Sequence, residues 1–151
     1  MALFRSDYSY RAFGLLLLRI GIGTMFILHG WPKLAGGIEL WENLGKSMEV
    51  VGIDFAPAFW GFMAGFSEAA GGLLLALGLF WRPVCLLLFI TMVVATLRHV
   101  TGGDPFNAYS HALEAAILFF AFLFIGPGGY SLDRKLFPSD KYRSRFNRIV
   151  V

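Results

Sequence analysis

Four long apolar stretches, over residues 12–28, 56–80, 83–97 and 108–125, constrain this chain more than any other feature. A helix crosses a hydrocarbon core about 30 Å thick with about 20 mostly apolar residues. The composition agrees, because 57% of the 151 residues are hydrophobic and only 15% are charged, with a mean hydropathy of +0.65. Ordinary soluble domains carry roughly 25% charged residues. A water-soluble globule is therefore excluded, and the expected fold is all-α: a four-helix transmembrane bundle in the lipid bilayer. A single domain over residues 1–151 is predicted, with helices at about 12–30, 56–80, 83–99 and 108–126 and a basic tail over 130–151.

The boundaries rest on local chemistry. The first stretch lacks a small-x-small cleavage pattern and contains Arg19, so it reads as a retained helix rather than a signal peptide. Pro83 suits the first turn of the third helix, whose flanking Arg82 and Arg98 have stems long enough to snorkel to the two interfaces. Gly126-Pro127-Gly128-Gly129 stops the fourth. Between helices one and two, Leu40 or Trp41, Leu44, Met48 and Val51 recur at three- and four-residue spacing, which predicts an amphipathic helix lying on the membrane or capping the bundle. Gly14, Gly21 and Gly23 in helix one, and Gly61, Gly65 and Ala69 in helix two, read as packing positions.

The net charge of +3 is unevenly placed. Six basic residues (Arg134, Lys135, Lys141, Arg143, Arg145 and Arg148) crowd the C-terminal tail, which beside hydrophobic helices points to cytoplasmic anchoring rather than nucleic acid. With both termini inside, nine basic flanking residues face the cytoplasm, against Lys33, Lys46 and Arg98 outside. The outer ends of the helices then carry His29, His99 and His111. Cys85 is the only cysteine, so an intramolecular disulfide and protein dithiol chemistry are ruled out.

Charges at bilayer depth cost at least about 2.5–3.5 kcal/mol on insertion scales and need partners or a function. Counted from His29 and Pro57, Arg19 and Glu68 each lie about 15–17 Å below the outer boundary, so an ion pair between helices one and two is expected. At the outer ends, His29, His111 and Glu114 gather. His111 and Glu114 are three apart and share a helical face. These side chains suit proton exchange with a quinone head group, with Phe26, Trp31, Trp60 and Tyr109 as aromatic walls. Nitrogen and oxygen ligation of a metal ion, or haem held by two histidines, is open to the same residues. The doubled Glu and Glu-x-x-His set of di-iron bundles is missing, and no metal site is assigned. A structural role at the interface is the plain alternative, and for Lys33 it is the default.

The segments LLRIGIGTMFILHGWPKL, SEAAGGLLLALGLFWRP and HALEAAILFFAFLFIGPGGYSLDRKL together resemble the DoxX family of small bacterial membrane proteins, across about residues 12–136. Arg19, His29, Gly30, Lys33, Glu68, Gly71, Gly72, Glu114, Ser131 and Asp133 fall on the family's motif positions. The resemblance implies a four-helix bundle in the bacterial inner membrane. It further implies a subunit of a quinone- or thiol-linked redox system; joined to the residues read above, the polar site is Arg19, His29, Glu68, His111 and Glu114. The rival is a non-enzymatic membrane protein: an assembly partner or chaperone for another protein, or a small-molecule carrier that works as a homo-oligomer.

Overall fold

A computed structural model describes residues 10–138; the tail beyond Pro138, with Lys141, Arg143, Arg145 and Arg148, lies outside the described residues. Every regular element among the described residues is helical: α1 (Arg11–Ala35), α2 (Gly37–Gly45), a 3-10 turn (Lys46–Val51), α3 (Pro57–Leu77), α4 (Trp81–Thr101), α5 (Phe106–Ile125) and α6 (Leu132–Leu136). α1, α3, α4 and α5 are each long and apolar enough to cross a membrane. Much of their surface is apolar and exposed, with Leu17, Leu28, Leu73, Ile117 and Phe124 all pointing outward, as lipid-facing residues do.

α1 continues past His29 and the proline at 32 to Ala35. Proline removes one backbone N–H, which a membrane helix with close neighbours tolerates. What stops α1 is the Gly36-Gly37 pair, with Gly37 in the left-handed region at φ 81°. α2 and the 3-10 turn then fold back as a cap packed on α3 and α4. The Trp41 indole donates to the Lys33 carbonyl at 2.9 Å, and its ring meets Phe62 edge-on at 5.1 Å.

α1 and α3 run antiparallel at backbone contact. A methyl group added at Gly30 would strike the Ala69 amide and Glu68, one at Gly23 would meet the Gly72 carbonyl at 2.5 Å, and one at Gly72 would meet the Gly23 carbonyl at 2.6 Å. Gly61 is similarly pressed against the Trp41 backbone and Gly65 against Lys33 and Leu34. Gly14 and Gly21, by contrast, have nothing within 4 Å, so these two are not packing positions among the described residues. The second half of the bundle is a side-chain core, in which Cys85, Leu88 and Met92 of α4 interlock with Ala116, Phe119 and Phe122 of α5. Leu75 of α3 closes it from one side.

Small-residue interfaces of this kind tolerate no added side chain, and overpacking costs typically about 1–3 kcal/mol. Gly30→Leu and Gly72→Leu should each lower the thermal midpoint and monodisperse yield in detergent. Gly21→Leu, on an open face of the same helix, should leave both unchanged; fluorescence-detected size exclusion after a heating series reads all three.

Candidate functional site

The contacts across α1 and α3 fix which charges can meet. Gly30 faces Glu68 and Ala69, while Arg19 lies level with Gly78, about 16 Å lower at the helical rise. The expected Arg19–Glu68 pair therefore does not form. Glu68, 3% exposed, is instead gripped by Lys33, whose Nζ donates to Oε1 at 2.6 Å and Oε2 at 2.7 Å. Ending helix one at His29 misplaced the reference level; the helix in fact carries Lys33 one turn further and on its inner face. Arg19, Phe26 and Lys33 are spaced by sevens, a repeat that keeps all three on the same side of the helix.

Arg19 is 2% exposed and sets its two terminal nitrogens on backbone oxygen, while its buried Nε has no partner among the described residues. Its guanidinium donates to the carbonyls of Pro127, at 2.9 Å, and Tyr130. That loop is stitched down on its other side. Asp133 accepts from the amides of Phe80 and Trp81, both at 2.8 Å, capping the start of α4, and the Ser131 hydroxyl donates to the Gly128 carbonyl at 2.8 Å. Phe80 sits in the left-handed region at φ 50°, uncommon for a bulky residue, where Asp133 secures its amide. The Gly-Pro-Gly-Gly-Tyr-Ser-Leu-Asp run is thus a buckle joining α1, α4 and α5 at the end opposite the histidines, and Arg19 is its pin.

At the histidine end, α1, α4 and α5 enclose a cleft of about 630 Å³. His29 of α1, His99 of α4, and His111 and Glu114 of α5 line it, along with Lys33 and Glu68. Phe26, Met92 and Leu118 supply apolar wall, and the Phe26 ring meets Phe119 edge-on at 4.8 Å. The side chains of His29, His111 and Glu114 have no hydrogen-bond partner among the described residues, which leaves their polar atoms to water or a ligand. His99 pairs through Nδ1 with Asp104 at 2.7 Å. Four of the five polar residues predicted from sequence share this cleft; Arg19 is elsewhere. Of the aromatic residues, only Phe26 lines it. Trp31 is 62% exposed on the outer face of α1, Tyr109 stacks edge-on with Phe106, and Trp60 belongs to a separate pocket under α2. No group of three His, Cys, Asp or Glu residues among those described converges closely enough to hold a metal ion. Lys33 and His99 are the site residues that the sequence places near this end but does not assign to the polar site; the seven-residue spacing from Arg19 and Phe26 is the signal for the first.

Residues 14–101 match the DoxX family. The chain belongs to that family. It is 36% identical over 135 residues to an uncharacterized protein of Haemophilus influenzae, covering 85% of this chain and 95% of that one. It is 29% identical over 133 residues to the inner membrane protein YphA of Escherichia coli, covering 80% and 89% of the two chains. The inner membrane protein YqjF of Escherichia coli is also 29% identical, over 126 residues, covering 82% of this chain and 92% of that protein. No solved structure matches the chain. α5, which brings His111 and Glu114 to the cleft, lies outside the segment matched by the family.

Removing one partner of a buried pair typically costs about 3–5 kcal/mol, because the other charge is left unpaired. The two partners differ here: Lys33 is 35% exposed and can turn toward water, whereas Glu68 cannot. Lys33→Met should therefore destabilise more than Glu68→Gln, and the double change should recover part of the Lys33→Met loss. Arg19→Leu should lower the thermal midpoint as well, and adding Glu68→Leu should deepen that loss rather than rescue it. Thermal unfolding of the set in one detergent decides both points.

Proposed function

We propose that this DoxX family membrane protein is a subunit of a quinone- or thiol-linked redox system in the bacterial inner membrane, and that the cleft between α1, α4 and α5 takes a quinone head group. The observation that carries the reading is the pairing, in one cleft, of unpartnered imidazole and carboxylate groups with an apolar wall of Phe26, Met92 and Leu118. A quinone supplies two-electron, two-proton chemistry when bound. The chain's own part is to seat the ring against Phe26 and to hold protons on the His29 and His111 imidazoles and the Glu114 carboxylate, near the mouth where water reaches them. Met92 and Leu118 keep the deeper part dry. Any thiol chemistry belongs to a partner, since Cys85 is the single cysteine and is buried in the α4–α5 core.

Protein extracted with its lipids should retain quinone near one per chain, measured by mass spectrometry of the organic extract against total lipid. His111→Ala and Glu114→Gln should each lower that ratio severalfold, and together little more than the worse single change, as residues acting on one group do. A quinone content equal to that of the surrounding membrane, unchanged by either substitution, overturns the reading.

The orientation follows from the basic flanks and puts the cleft on the outer side. In a Cys85→Ala background, an impermeant maleimide added to intact cells should label Glu42→Cys at once and Lys135→Cys only after permeabilisation. The reverse pattern would turn the cleft toward the cytoplasm.

A further inference from the structure

Beneath the cap formed by α2 and the 3-10 turn, α3 and α4 bound a second pocket of about 190 Å³. It is separate from the cleft, with the Lys33–Glu68 pair in the wall of both. An engineered cavity of about 150 Å³ holds benzene, so this space is the size of one substituted ring. Met48, Trp60, Met63 and Ile90 make the wall aromatic, thioether and aliphatic, and sulfur atoms favour contact with an aromatic edge. The polar corner is specific. Lys33 carries three N–H groups, of which Glu68 takes two, and each Glu68 oxygen keeps a further lone pair. Thr91 is already engaged with Ser67 and the Leu87 carbonyl, while the nearby Ser47 hydroxyl has no partner among the described residues.

A free Lys33 N–H and the free lone pairs of Glu68 therefore stand side by side at the edge of an apolar, ring-sized space, with the Ser47 hydroxyl and the buried Trp60 indole N–H, both without a partner among the described residues, in the same wall. A carbonyl would use only the donors and leave the Glu68 lone pairs unmet, an anion would be repelled by Glu68, and a cation would be repelled by Lys33. A neutral hydroxyl satisfies both at once. We propose that this pocket binds a compact one-ring phenol, its hydroxyl on the Lys33–Glu68 pair and its ring among Met48, Trp60 and Met63. Such compounds partition into bilayers. The site needs no quinone in the cleft, although the two spaces share the Lys33–Glu68 wall.

The probe is 4-fluorophenol, followed by fluorine NMR with the protein in lipid nanodiscs, and 4-fluorotoluene is its control of matched shape without the hydroxyl. A saturable, protein-dependent resonance is expected for the phenol, at one site per chain and at least tenfold tighter than for the toluene. Ala64→Phe and Val94→Phe both fill the pocket and should abolish it; two are used because either alone can fail to fold, as thermal unfolding will reveal. Ile117→Phe, on the exposed face of α5, should leave it intact. In the Lys33→Met, Glu68→Leu double variant, which removes both the donor and the acceptor, the phenol should lose its advantage over the toluene. Equal affinity for the two probes, binding that survives a folded filling variant, or no saturable signal overturns the proposal.

Discussion

The backbone contact between α1 and α3 is the constraint on which the rest of this structure depends. Lipid tails are as apolar as leucine, so helices in a bilayer gain nothing from merely hiding hydrocarbon from each other. Gly23, Gly30, Gly65 and Gly72 remove the side chains that would hold the two helices apart and let dispersion and polar contacts act at short range. Because the close approach runs from Gly23 to Leu34 on α1 and from Gly65 to Gly72 on α3, it also sets their register. That register puts Glu68 beside Lys33 and leaves Arg19 far below, opposite the loop that follows α5.

The two deep cations answer the same penalty in different ways. Lys33 is a point charge and meets a point-like opposite charge, the Glu68 carboxylate. Arg19 is a planar fork, and it reaches two carbonyls of a loop whose turn conformation leaves those oxygens without helical donors. The carbonyl route keeps a net positive charge buried at the buckle, and the carboxylate route keeps a neutral pair beside the cleft. Only the second leaves polar atoms facing ligand-sized space. The division explains why one arginine and one lysine, on the same face of the same helix, end in such different surroundings: one joins helices, the other borders two pockets.

Much of this was legible from residues alone. The four crossings follow from apolar run length, the buckle position from its glycines and proline, and the amphipathic segment from the spacing of Leu44 and Met48, which indeed line the pocket they cap. His29, His111 and Glu114 were identified as neighbours because three helix ends had to meet there. The failures share one cause. Helix ends at a membrane interface have no sharp polarity signal, and His-Gly followed by Trp-Pro looks like a stop when it is interior helix. Six residues of extra α1 account for about 9 Å of the roughly 16 Å misalignment; the rest arises because the start of α3, at Pro57 and Gly61, packs on Gly45 and Trp41 of α2 and not level with the end of α1, so Lys33 and not Arg19 becomes the partner of Glu68. Gly14 and Gly21 were misread for a related reason: glycine frequency in membrane helices carries no information about which face is pressed until the register is known.

The cap ties these features together. Trp41 of α2 bonds to the carbonyl of Lys33, the same residue whose ammonium holds Glu68, so the position of the cap and the position of the charge pair are mechanically linked through one residue of α1. Gly45 and Gly61 press the cap to the start of α3 at backbone distance, which leaves it little freedom to slide. Any displacement of the cap must therefore pull on the last turn of α1, and any ligand that draws Lys33 toward one pocket must act on the wall of the other. A 21-residue connection between two membrane helices, residues 36–56, would ordinarily be a tolerant linker; here its tryptophan and its glycines make it part of the wall.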